Sequence, residues 1–135
     1  MSKGSRMPFK RIVIVDDELD MARLLKMELE SEQYDVNLVK NGWQGLALIK
    51  NSRPDLVLLD IMMPEMDGYE VLQQLKAEAT TKDIPVVILT AKGLEQDIQK
   101  GLDLGAEDYI VKPFYPALLL KRIKSILKEN GQRHT

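Results

Sequence analysis

The chain has 135 residues, 44% hydrophobic and 5% aromatic, with 19 Lys and Arg against 21 Asp and Glu for a formal net charge of -2. That is one domain's worth of chain, apolar enough to fold alone, and its near-neutral balance gives no global attraction to nucleic acid, so contact with DNA is expected to need another domain or chain. Zero cysteines exclude disulfides, thiolate zinc sites and cysteine nucleophiles, and with no apolar run near the ~18 residues of a membrane span and no hydrophobic leader after Met1, the expected compartment is the cytoplasm, with no membrane contact.

Residues 1–8 read as a tail, 9–129 as one folded domain, and 130–135, with the single histidine His134, as a second tail. Short continuous runs of β-branched residues and Leu predict strands at Arg11 to Val15, Asp35 to Val39, Leu56 to Asp60, Val86 to Thr90 and Tyr109 to Val111. Helical periodicity predicts Leu19 to Glu32, Gly42 to Asn51, Gly68 to Ala79, Glu95 to Leu104 and Pro116 to Glu129 between and after them. The first helix places Met21, Leu24, Leu25 and Leu29 on one face, with Asp17 or Asp20 as its cap. The last carries a buried stripe of Leu119, Ile123, Ile126 and Leu127, with Lys121 and Lys124 pointing away and Leu118 facing outward. Five strands alternating with five helices imply an α/β fold, a doubly wound parallel sheet covered on both faces by right-handed crossovers.

Such sheets bind ligands beyond the carboxyl ends of their strands. The residues there are Asp16 and Asp17 after the first strand, Asp60 at the end of the third, Thr90 at the end of the fourth and Lys112 after the fifth. Acids at strand ends also cap the helices that follow, but that reading does not explain five such positions together. Three carboxylates ~5 Å apart repel by about 3 kcal/mol per pair at an effective dielectric near 20, which one lysine does not offset, so a cation is expected. Oxygen ligands with open positions and no His or Cys suit hydrated Mg²⁺. A metal, an ammonium and a hydroxyl around one more carboxylate make a site for a tetrahedral anion, and carboxylates are nucleophiles toward phosphoryl groups.

Four motifs stand in order over about Phe9 to Leu127: Ile14-Val15-Asp16-Asp17-Glu18; Asp55 to Pro64 followed by Met66-Asp67-Gly68; Ile88-Leu89-Thr90-Ala91; and Gly105 to Tyr109 leading to Lys112-Pro113-Phe114. Together they make a sequence that resembles the receiver domain of two-component response regulators, a flavodoxin-like fold. The resemblance implies that Asp60 is the phosphoacceptor, taking a phosphoryl group from a histidine kinase or phosphotransfer protein in a Mg²⁺-dependent reaction. It implies that Asp16, Asp17, Asp60 and the backbone carbonyl of Met62 hold the metal, and that Thr90 and Lys112 bind the phosphoryl oxygens. Thr90 and Tyr109 would form the switch, with Tyr109 turning inward, and the bond after Lys112 would be cis. Met62 and Lys92 would flank the path of a hydrolytic water. Output would pass to an effector or a second copy of the chain through the face of the fourth helix, fifth strand and last helix. The activity implied is confined to the domain's own phosphorylation and dephosphorylation.

Tyr115-Pro116-Ala117-Leu118 departs from the family, which carries acids near the start of the last helix, and this puts its charge-paired dimer in doubt. Trp43 is expected to be partly exposed, and Met62, Met63 and Met66 to pack the loop after the third strand rather than bind copper. A phosphohydrolase of similar fold is the alternative, but its nucleophile is followed two residues later by a second Asp, where Asp16 is followed by Asp17 and Glu18. A receiver-like module that only docks partners is the third reading, and the complete five-residue site speaks against it.

Overall fold

The computed structural model describes residues 9–128, so both expected tails, and His134 with them, lie outside the described residues. The elements follow in the order β1 (Arg11–Val15), α1 (Leu19–Ser31), β2 (Asp35–Val39), α2 (Gly42–Ser52), β3 (Leu56–Leu59), α3 (Gly68–Ala77), β4 (Val86–Thr90), α4 (Glu95–Asp103), β5 (Asp108–Val111) and α5 (Pro116–Leu127). The strands form one sheet in the order β2-β1-β3-β4-β5, with every neighbouring pair parallel.

Strand residues alternate between two cores because successive side chains leave a strand on opposite faces. Ile12, Ile14, Leu56, Leu58, Val87, Leu89 and Ile110 meet Ala22 and Leu29 of α1 and Leu119 and Ile123 of α5. Val13, Val15, Val57, Leu59, Val86, Ile88 and Tyr109 meet Leu46 and Ile49 of α2 and Tyr69, Leu72 and Leu75 of α3. With both faces covered, a run such as Leu56–Leu59 is buried at every position, which is why it reads as continuous rather than alternating.

The first helix differs from its expected face. Met21 and Leu24 are more than half exposed, whereas Ala22 and Leu29 are buried. Its apolar arc is wider than the sheet can cover, and the sheet takes the Ala22–Leu29 edge. Neither Asp17 nor Asp20 caps it: Glu18 holds the cap position without a side-chain cap bond, and Asp20 lies in the first turn, where an acid favours the helix dipole. Asn41 and Asp67 do cap, accepting from Gln44 N and Glu70 N at the starts of α2 and α3. At the ends, α2 stops at the left-handed Arg53 and α5 at the left-handed Lys128, short of the expected Glu129. No helix among the described residues is long and apolar enough to cross a membrane.

Candidate functional site

Register sets the site. Val15 pairs with Leu59, and Asp60 N–H donates to the Val15 carbonyl at 2.9 Å, so the residues that leave the two strands, Asp16 and Asp60, stand side by side. Ligand oxygens of Asp16, Asp17 and Asp60 all lie within 4.8 Å of one another. Asp16 and Asp60 are buried and Asp17 is exposed, so the cluster has a wet side and a dry side.

Lys112 reaches into it from the end of β5. Its Nζ donates to Asp16 Oδ2 at 2.9 Å, to Glu18 Oε1 at 3.1 Å and to Asp60 Oδ2 at 3.3 Å. Burial pulls this ammonium down, but the Asp16 hydrogen bond and the Asp60 and Asp16 charges outweigh it, and the net effect holds Lys112 above its ordinary 10.5. Asp16 is pushed above its ordinary 3.8 chiefly by burial, against the hydrogen bonds from Lys112 and Glu18 N–H. One ammonium faces four carboxylates here, so attraction for a further cation remains.

Backbone donors fix the acids. Glu18 N–H donates to Asp16 Oδ1 and Met62 N–H to Asp60 Oδ1, both at 2.9 Å. Oxygen ligands on consecutive residues and on the adjoining strand, one of them open to solvent, fit a hard cation that keeps part of its hydration shell. Glu18 is the member of the cluster that sequence reading did not place there; it is one residue past the paired aspartates, which was its only signal.

Thr90 is fully buried at the end of β4, its carbonyl accepting from Lys112 N–H at 2.8 Å and its hydroxyl accepting from Lys92 N–H at 3.5 Å. The Lys112-Pro113 bond is cis. Tyr109 points inward: it is 9% exposed and its hydroxyl donates to the Lys92 carbonyl at 2.7 Å. Burial, with the neighbouring Tyr69 hydroxyl and the Asp97 and Asp60 charges, keeps its phenol protonated. Lys92 turns toward Asp97, 3.7 Å away, rather than being bonded to the acids. Met63 and Met66 are buried, whereas Met62 and Trp43 are more than half exposed.

A groove of about 580 Å³ adjoins the acids. It is lined by Met21, Leu24 and Leu25 of α1 and by Pro113 and Phe114 after β5, and it shares Asp16 and Lys112 with the acid site. The side chains expected in the core of α1 thus form an apolar wall beside the charged cluster.

Residues 12–124 match the family model described as the response regulator receiver domain. The chain is 43% identical over 122 residues to the phosphate regulon transcriptional regulatory protein PhoB of Pseudomonas aeruginosa, covering 90% of this chain and 53% of that protein. It is 44% identical over 119 residues to a probable transcriptional regulator of Cyanophora paradoxa, covering 88% and 48%. It therefore spans about half the length of the curated relatives it matches. Among solved structures it resembles a CheY-like response regulator receiver domain protein of Methanospirillum hungatei, at TM-score 0.84 and 35% identity over 90% of this chain and 95% of that one. The N-terminal receiver domain of RstA from Klebsiella pneumoniae gives 0.83 and 34% over 88% and 99%. A doubly wound sheet with the acid cluster at its carboxyl edge and a family match over most of its length make this chain a member of the response regulator receiver domain family.

Proposed function

We propose that the chain accepts a phosphoryl group on Asp60 from the phosphohistidine of a histidine kinase or phosphotransfer protein. The observation that carries this reading is Lys112, whose ammonium lies between Asp16 and Asp60 within the acid cluster. An Asp60 carboxylate oxygen forms the new P–O bond as the P–N bond to the donor imidazole breaks, the electron pair of that bond returning to the ring. Lys112, already held between Asp16 and Asp60, meets a phosphoryl oxygen as charge spreads over it, and Thr90 moves to donate its hydroxyl to another. Met62 N–H holds the non-attacking Oδ1 of Asp60. Asp16, Asp17, Asp60 and the Met62 carbonyl would hold Mg²⁺, which when bound neutralises phosphoryl charge.

The apolar groove beside the site supports a protein donor, since Met21 and Leu24 offer contact area where a free phosphate needs none. In this reading Thr90 and Tyr109 carry the change to the face formed by α4, β5 and α5, where an effector or a second copy binds. The chain acts only on its own phosphorylation and dephosphorylation, in the cytoplasm. DNA contact, named for relatives such as the DNA-binding response regulator MtrA of Mycobacterium leprae, falls to another domain or chain, in keeping with the net charge of -2.

Incubation with acetyl phosphate and Mg²⁺ tests the reading. The expected product is an acid-stable, base-labile adduct that maps to Asp60 and is absent from Asp60→Asn. An adduct elsewhere, or turnover of phosphate esters without one, overturns it.

A further inference from the structure

Lys112 reaches the acid cluster with three donors, and all three are committed. Nζ donates to Asp16 at 2.9 Å, to Glu18 at 3.1 Å and to Asp60 at 3.3 Å, and an ammonium has no fourth donor to offer. The side chains of Asp16 and Asp60 are 5% exposed and that of Glu18 62%. Letting go of a buried carboxylate strands a charge out of water, whereas the Glu18 carboxylate is already hydrated and gives up the ammonium at little cost.

Glu18 holds the cap position of α1, yet its side chain makes no cap bond, unlike Asn41 and Asp67 at the starts of α2 and α3. Capping therefore does not account for its acid. Its main chain is fixed on both sides, the N–H donating to Asp16 Oδ1 at 2.9 Å and the carbonyl accepting from Ala22 N–H at 3.0 Å. From that fixed root the carboxylate leans over the wet side of the cluster and draws the ammonium toward solvent.

We propose that Glu18 is a positioning residue that acts through Lys112: its carboxylate holds the ammonium at the mouth of the site and competes for it with the phosphoryl group on Asp60. As phosphoryl oxygens come within reach, the ammonium passes to them and Glu18 is released to water, so Glu18 sets how readily the site fills. This rests on the phosphoacceptor reading for the competing group, though the hold on Lys112 does not.

Glu18→Gln keeps the length of the arm and the N–H that fixes Asp16, and removes the charge. With no phosphodonor present, exchange of the Lys112 ammonium protons with water, followed by nitrogen-detected magnetic resonance, is expected to be about threefold faster in this variant. Acetyl phosphate with Mg²⁺ should then label Asp60 about threefold faster than in the wild type. Asp20→Asn removes an equal charge from a fully exposed side chain two residues on, and is expected to change neither rate. Unchanged ammonium exchange in Glu18→Gln, labelling no faster than wild type, the same gain in Asp20→Asn, or a raised Mg²⁺ midpoint in Glu18→Gln, which would make Glu18 a metal ligand, overturns the proposal. Intact mass of the wild type separates the two ideas: no adduct defeats the phosphoacceptor reading and the competition with it, while ammonium exchange still decides the hold on Lys112.

Discussion

Lys112 Nζ and Asp60 Oδ2 lie 3.3 Å apart although 52 residues separate them along the chain. The same ammonium holds Asp16, so removing it leaves two buried carboxylates without their counter-charge. Lys112→Ala is expected to slow phosphorylation by acetyl phosphate more than tenfold and to destabilise the fold by about 3 kcal/mol. The sign with pH follows from a folded-state value above the ordinary 10.5: the lysine's contribution is fully present below that value and is lost as pH rises through the folded one. The gap between wild type and Lys112→Ala in denaturant midpoint should hold from neutral pH to the lysine range and then close. A gap that stays open above the lysine's folded-state range would contradict the pairing.

Asp17 is the exposed acid of the three, so its loss relieves repulsion without opening the core. Asp17→Ala should melt higher than wild type in the absence of Mg²⁺ and lose the Mg²⁺-induced shift. The wild type should gain about 2.7 kcal/mol at 100 times the dissociation constant. Thermal melts over a magnesium series decide it, and an unchanged response in Asp17→Ala removes this residue from the metal site.

The lifetime of a phosphoryl group on Asp60 should be set by Met62, since Lys92 is engaged with Asp97. Met62 is 54% exposed and presents an apolar thioether beside the carboxylate that its N–H holds, with nothing to orient a water. Met62→Asn is expected to speed dephosphorylation several-fold, measured as decay of the adduct after the donor is removed. An equal or slower rate would mean that the attacking water comes by another route.

Leu118 stands outward on α5 beside Tyr115, with exposures of 40% and 81%, while neighbouring Arg122 is already paired with Asp108 within the chain. If two copies meet here, the contact is apolar, and it should survive salt that screens charges beyond about 10 Å. Light scattering of phosphorylated wild type should show association at both low and high salt, and Leu118→Glu none. Association that salt abolishes in the wild type, or that Leu118→Glu retains, assigns the contact elsewhere.

Gly68 offers a test of packing alone. With a Cβ placed 2.4 Å from the Asp60 carbonyl oxygen and 2.6 Å from Ile61 Cα, Gly68→Ala must displace backbone rather than a flexible side chain. It is expected to destabilise by about 3 kcal/mol in denaturant unfolding. A loss under 1 kcal/mol would show that the loop after β3 has slack.

The centre of the sheet was legible because β1, β3 and β4 are buried on both faces, and the five residues at the strand ends stood out because each lies at the same edge. The resemblance supplied their roles, which spacing alone does not carry. What sequence could not give was which apolar side chains the core takes. Met21 and Leu24 share helical periodicity with Leu25 and Leu29, and periodicity marks an apolar arc without saying how much of it a sheet covers. Asp60 was placed inside the third strand, whereas β3 ends at Leu59, because the bend that frees the aspartate depends on Met62 N–H reaching back to it. Nothing in the sequence marks Tyr69, since its hydroxyl's partner is a main-chain carbonyl 28 residues away that no residue type announces.

The partners that meet at the acid cluster are drawn from nearly the whole chain, Lys112 and Asp16 being 96 residues apart. Neither is brought to the other by local structure; each depends on the sheet having added its strands in their final places. Competence to receive a signal therefore depends on every strand standing in its final register. A nascent chain halted before β5 lacks the ammonium altogether, and a chain with an edge out of register presents scattered acids. Such molecules are expected to be slow toward a phosphodonor rather than draining it, so the architecture itself screens each copy before it can take part in signalling.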